Sequence, residues 1–155
     1  MRVPLFAGMA LCLLFSTSAC QARLGDTMDQ CVARWGQGKS APNPPHTEEV
    51  TSANFKHFSK DGYSFTVGFL DGIVAYELIG KENPNKLTDN DVVAILHADS
   101  ANQDWNFVKS APSNSNNWVR TDGAYATYHP NFSYVILMSK DFYETWYSST
   151  NQHPF

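Results

Sequence analysis

The run FKHFSKDGYSFTVGFLDGIVAYELIG, residues 55–80, decides the fold. Two Asp-Gly pairs, Asp61–Gly62 and Asp71–Gly72, divide it into three stretches rich in aromatic and β-branched residues. Asp-Gly tolerates positive φ at both positions, which the type I′ turn of a two-residue hairpin requires. With Asp71 and Gly72 as the turn, Leu70 pairs with Ile73. Phe65, Val67 and Phe69 then pair with Leu78, Tyr76 and Val74 on one face. The other face carries Ser64, Thr66, Gly68, Ala75 and Glu77, so one side is expected to be buried and the other mostly wet.

The same logic returns in WVRTDGAYATYHPNFSYVILMS, residues 118–139. A two-residue turn at Asp122–Gly123 and a two-residue bend at Pro130–Asn131 place Trp118, Tyr125, Tyr134, Ile136 and Met138 on one face. Val119, Ala126, Val135 and Leu137 fall on the other. Both sides are apolar, and short helical stripes cannot cover both. The five large residues are therefore the candidate binding face, an apolar patch of the kind that marks an interaction site. In the competing outcome the rings pack under the helices, which burial energy favours.

Two helices are expected. In RLGDTMDQCVARWG, residues 23–36, Thr27 or Asp26 caps a helix. Met28, Cys31, Val32 and Trp35 form one stripe, and Gly36 suits its end. Cys31 sits in mid-stripe, where a thiol behaves as a small hydrophobe rather than a nucleophile. In LTDNDVVAILHADS, residues 87–100, Thr88 caps with Asp91 in a box-like position, and Leu87 can staple to Val92. Residues 37–54 and 100–116 read as loops, and residues 140–155 as a short helical turn and a tail. Helix and three strands, twice over, predict an α+β fold. It is built of tandem αβββ-like units, residues 24–80 and 87–139, with the helices packed on one face of an antiparallel sheet.

The chain opens with Arg2 and an apolar run from Leu5 to Phe15. That run is too short to span a bilayer, which takes roughly 20 residues, and reads as a signal peptide covering residues 1–19. Residues 20–155 form a single domain. STSAC, ending at Cys20, resembles a bacterial lipobox, with Thr17 where Leu is usual. In that reading Cys20 carries the lipid, and Gln21, not being Asp, directs the protein to the outer membrane. The rival is simple secretion, with cleavage after Ala19 or Ala22. If Cys20 survives unlipidated, a Cys20–Cys31 bridge is open to it. A formal charge of −4 lacks the basic footprint of a nucleic-acid binder.

LGDTMDQCVARWG, residues 24–36, is similar to the helix-start segment of SmpA/OmlA-type outer-membrane lipoproteins. Gly25, Thr27, Gln30 and Gly36 match it. Cys31 stands at a usual Val, Trp35 at a usual Leu, and Gly38 at a usual Pro. The resemblance implies the architecture that this family shares with β-lactamase inhibitory protein. It also implies a non-enzymatic role in binding proteins or scaffolding outer-membrane assembly. The chain also resembles small exported bacterial proteins with a similar opening.

Catalytic and cofactor signatures are missing from the sequence. His46, His57, His97, His129 and His153 show no metal-ligand spacing. No nucleophile elbow or phosphate loop is present. The Asp-Gly aspartates are explained by turn chemistry, and Glu48–Glu49 by a solvated loop. Two readings stand. One is a non-catalytic exported envelope protein, lipid-anchored or periplasmic, with another envelope protein as partner and no cofactor or metal. The other is a small secreted glycan-binding module or hydrolase that uses the aromatic face.

Overall fold

The computed structural model describes residues 23–44, 47, 50, 53–108 and 114–150. The chain is α+β, with three helices and one eight-stranded antiparallel sheet. In order, the elements are α1 (Met28–Trp35), β1 (Lys39–Ser40), β2 (Asn54–Lys60), β3 (Tyr63–Leu70) and β4 (Ile73–Lys81). Then follow α2 (Asp89–Ala98), β5 (Trp105–Val108), β6 (Asn116–Arg120), β7 (Tyr125–His129), β8 (Tyr134–Met138) and α3 (Lys140–Thr150). The strands lie in the order β1-β2-β3-β4-β8-β7-β6-β5. Two strands, β1 and β5, fall where the sequence reads as loop. Among the described residues no helix is long and apolar enough to cross a membrane.

The first two Asp-Gly pairs make the expected turns. Asp61 and Gly62 have φ of 52° and 78°, and Asp71 and Gly72 have φ of 52° and 79°. Leu70 pairs with Ile73 and Phe69 with Val74. The register then slips, because Gly68 lies opposite Tyr76 and leaves Ala75 as an extra residue. A bulge of one residue moves every later side chain to the opposite face. Val67 therefore pairs with Glu77 and Phe65 with Ile79, not with Tyr76 and Leu78. Glu77, expected in solvent, is wholly buried.

The Asp122–Gly123 turn also departs from expectation. Gly123 has φ of 92°, but Asp122 is not among the positive-φ residues. Arg120 N–H donates to the Ala124 carbonyl, which closes a three-residue loop over residues 121–123. A type I turn followed by a left-handed glycine builds such loops. The extra residue pairs Trp118 with Ala126. Trp118 is thus on the opposite face from Tyr125, Tyr134, Ile136 and Met138, and its assignment to the candidate face is corrected. The β7–β8 loop has four residues instead of two, since His129 pairs with Tyr134. An even shift leaves those faces unchanged.

The sheet is covered on both sides. On the first face, Cys31 and Trp35 of α1 and Val92, Ile95 and Leu96 of α2 join Phe58, Phe65, Val67, Val135 and Leu137 in one core. On the second, Phe142 of α3 joins Val50, Phe55, Tyr76 and Met138. The expectation of helices on a single face does not extend to α3, which runs for 11 residues where a single helical turn was expected. Of the two cap candidates for α1 it is Thr27 that caps, and it forms a full capping box beyond the single cap expected; the box at Thr88 forms as read. Thr27 accepts from the Gln30 N–H while Gln30 returns to the Thr27 N–H, and Thr88 and Asp91 do the same. Each satisfies two of the four N–H groups that a helix start leaves open.

Candidate functional site

The second face holds the candidate binding residues other than Trp118. Chain continuity places α3 there, since only Ser139 separates it from β8. The Ser139 N–H donates to the carbonyl of the bulged Ala75 at 2.8 Å. Phe142 is then fully buried, with its ring 5.3 Å from Tyr76. Met138 is buried beneath it. Tyr125 is half-buried and stacks on Tyr143 at 4.5 Å. Its hydroxyl is held above its ordinary 10.0, first by burial and then by Tyr143.

The other end of this face is more open. Tyr134 and Ile136 are half-buried. The Tyr134 ring lies 5.0 Å from His129 and stacks on Phe132 at 5.9 Å. Phe132, at the tip of the β7–β8 loop, is 72% exposed. Burial lowers His129 below its ordinary 6.5, so the imidazole in this cluster favours its neutral form.

Two clefts are lined by this side of the molecule. One, of about 420 Å³, is lined by Asn117, Val119, Tyr125, Lys140, Tyr143 and Glu144. The other, of about 510 Å³, is lined by the 39–44 segment with His57, Thr66 and Leu78.

A polar seam runs through the first face. Asp99, at the end of α2, accepts the Leu24 N–H at 2.7 Å and Arg120 Nη1 at 3.1 Å. Arg120 also grips Asp122 in a two-pronged pair at 2.9 and 2.8 Å, and its guanidinium lies 5.3 Å from the Trp105 ring. Asp26 pairs with Arg34. Glu77 is enclosed, and neither of its oxygens has a hydrogen-bond partner. Desolvation drives its pKa well above 4.5, with Asp99 and then Asp26 adding to the rise. Burial pushes Asp99 up to about 7, against the pull of Arg120 and the Leu24 N–H. Asp99 has partners for its charge and Glu77 has none, so Glu77 is the carboxyl that holds its proton more firmly. Paired carboxylates can do acid–base chemistry only within reach of a substrate. These are 0% and 1% exposed. The seam is interior structure.

Cys31 is a free, buried thiol, and burial pushes it up to about 12. It is core, as its stripe implies. His97 is exposed on α2, and His57 and His129 are half-buried on β2 and β7. No group of three or more residues able to hold a metal ion occurs among the described residues. Cys20, His46, Glu48, Glu49 and His153 lie outside them. Nothing in the sequence marks α3 as a cover for the binding face, except the spacing of Phe142, Tyr143 and Trp146.

The chain matches no protein-family model. No curated protein is significantly similar to it. Among solved structures it is similar to a cysteine-rich secretory protein from Staphylococcus aureus, with a TM-score of 0.42 and 12% identity. The alignment covers 77% of this chain and 46% of the other, so the chain spans about half of that protein's length. A likeness of this extent carries no argument.

Proposed function

We propose that the protein is a non-catalytic, exported envelope protein that binds another protein through the second face of its sheet. One observation carries the reading. The half-buried Tyr134 continues into an exposed Phe132 and stacks on it, an apolar surface larger than a lone ring. Exposed aromatic clusters with a polar surround are where protein partners dock. The signal-like first 19 residues and the Cys20 lipobox support export, with a lipid anchor as the attachment to the outer membrane. The chain order supports a tandem origin, since a helix and four strands occur twice and the two last strands, β4 and β8, pair with each other. This is the internal symmetry that the resemblance to SmpA/OmlA-type and β-lactamase inhibitory proteins implies. The buried pair Glu77 and Asp99 is enclosed and so lends the catalytic alternative no support.

The test is a paired capture from the native envelope with wild type and Phe132→Asp. Phe132 is mostly exposed, so the substitution leaves the fold intact while placing a charge in the patch. A partner retained by wild type and lost by Phe132→Asp is the expected result. Equal recovery by both proteins would remove this face as the docking surface.

A further inference from the structure

We propose that Glu77 is a proton-operated latch on the stretch that leads into α1. While Glu77 holds its proton, residues 23–26 stay docked along β4. When the proton leaves, they lift off, and α1 and the sheet stay in place. The inference does not depend on the docking face.

Glu77 is wholly buried, and both its carboxyl oxygens lack a hydrogen-bond partner. Across the sheet it pairs with Val67 on β3 and Leu137 on β8, both apolar and fully buried. A buried carboxylate without a donor is costly, while the neutral acid is tolerated. Charged and titratable groups face it from every element packed above: Asp26 from the leading stretch, Arg34 and the Cys31 thiol from α1, Asp99 from α2 and Arg120 from β6. Both cations are engaged, Arg34 by Asp26 and Arg120 by Asp99 and Asp122. Both facing carboxylates repel a charge on Glu77. An ionised Glu77 therefore needs water, and part of its cover must move to admit it.

The leading stretch is the lightest part of that cover. The Leu24 N–H donates to Asp99 Oδ1 at 2.7 Å. The Gly25 N–H donates to the Val74 carbonyl at 2.9 Å, and the Val74 N–H donates to the Asp26 carbonyl at 2.8 Å. Of residues 23–26, only Leu24 joins the core. The helices are held more heavily. In α1, Cys31 and Trp35 are buried, and the Trp35 ring stacks on Phe65 at 4.8 Å and lies 5.0 Å from Phe58. In α2, Val92, Ile95 and Leu96 are buried. Asp26 and Asp99, which a charged Glu77 repels, are also the residues that hold the stretch down. The docked form keeps the proton, so it is favoured in acid and loses ground as pH rises. These residues link the domain to the chain before it, so the latch sets how closely the domain is drawn to that end.

The test is amide hydrogen exchange followed by NMR on the ¹⁵N-labelled full chain at pH 5 and pH 8, with each rate divided by that of a free peptide at the same pH. Protection of the Leu24, Gly25 and Val74 amides should fall by about tenfold or more between the two values, since each pH unit of titration is worth a factor of about ten. At pH 8 it should lie well below that of Val67 and Leu137 in the central strands. Glu77→Gln cannot take on a charge and should show a much smaller fall. The proposal is overturned if the three amides are as protected at pH 8 as at pH 5. It is overturned equally if they share one protection with the strand amides at pH 8, which would mean that Glu77 acts only through unfolding of the whole domain, or if Glu77→Gln loses as much as wild type. The first two outcomes are read on wild type, so they stand even where the variant fails to fold.

Discussion

Glu77 shows how far one residue can depart from its sequence neighbourhood. Its ordinary value is 4.5, and in the folded chain burial holds the proton on to higher pH. Above about 4.5 the unfolded chain therefore binds fewer protons than the folded one, and stability falls as pH rises. The contribution is intact below the ordinary value and is lost progressively toward the folded one, at about 1.4 kcal/mol per pH unit. Asp99 drifts in the same direction, its value being raised as well. Asp91 and Asp122, both lowered, act only in acid and do not touch this window. His129, lowered below 6.5, opposes this slope, since its neutral folded form gains as pH rises. The two carboxyls outweigh it, so urea midpoints should be higher at pH 5 than at pH 8, and Glu77→Gln should reduce the slope, with Asp99 supplying the remainder. Equal wild-type midpoints at the two values would refute the assignment. Cys31 is the quieter case. With its thiol pushed up to about 12 and no exposed surface, it should resist thiol reagents until the chain unfolds. Cys31→Ala should cost on the order of 1–2 kcal/mol, as for loss of a small buried group. Rapid labelling under native conditions would contradict this.

At the scale of elements, the β3–β4 hairpin turns on one bulge. Ala75 is inserted opposite the Phe69–Gly68 step, and its carbonyl is taken by Ser139 at the start of α3. One extra residue thus serves two ends. It turns Glu77 and Ile79 to the face of Val67 and Phe65, toward α1 and α2, and it anchors the helix that covers the other face. Gly68 makes room for the arrangement, since a Cβ there would stand 2.6 Å from the Phe55 ring. That ring is buried and lies edge-on to Tyr76 at 5.7 Å, so it cannot swing aside freely. Gly68→Ala should destabilise the protein by about 1–3 kcal/mol through overpacking. Gly62→Ala, with open space around its Cβ, meets no clash and pays only for positive φ, about 1 kcal/mol. Denaturant titration of the two variants separates packing from backbone strain. Equal losses would mean that Phe55 yields.

Across the whole molecule, Arg120 ties together parts far apart in the chain. Through Asp99 it reaches the end of α2 and the Leu24 segment that leads into α1, and through Asp122 it holds its own hairpin loop. Removing one member of a buried charge network strands the others. Arg120→Leu leaves Asp99 beside Glu77 without its cation, and a loss of about 3–5 kcal/mol in unfolding free energy is expected. The loss should shrink at pH 5, where the stranded carboxyls can take up protons. A loss under 1 kcal/mol at both pH values would show that the network contributes little.

What the sequence determined by itself was local. The helix caps at Thr27 and Thr88, the buried stripe around Cys31 and the two type I′ turns at Asp61 and Asp71 all form as read, because each depends on residues within a few positions of one another. The α+β class follows from that order of elements. What only the tertiary structure decided was parity and partnership. Whether Asp122–Gly123 closes a loop of two residues or three, and whether Ala75 is paired or bulged, differ little in local preference. Each choice flips a whole strand, and burial of Phe65, Val67, Ile79 and Leu137 under two helices selects between them. The same selection moved Trp118 off the candidate face and placed α3 over Met138. These outcomes rest on contacts between residues tens of positions apart, which no short-range pattern in the sequence records.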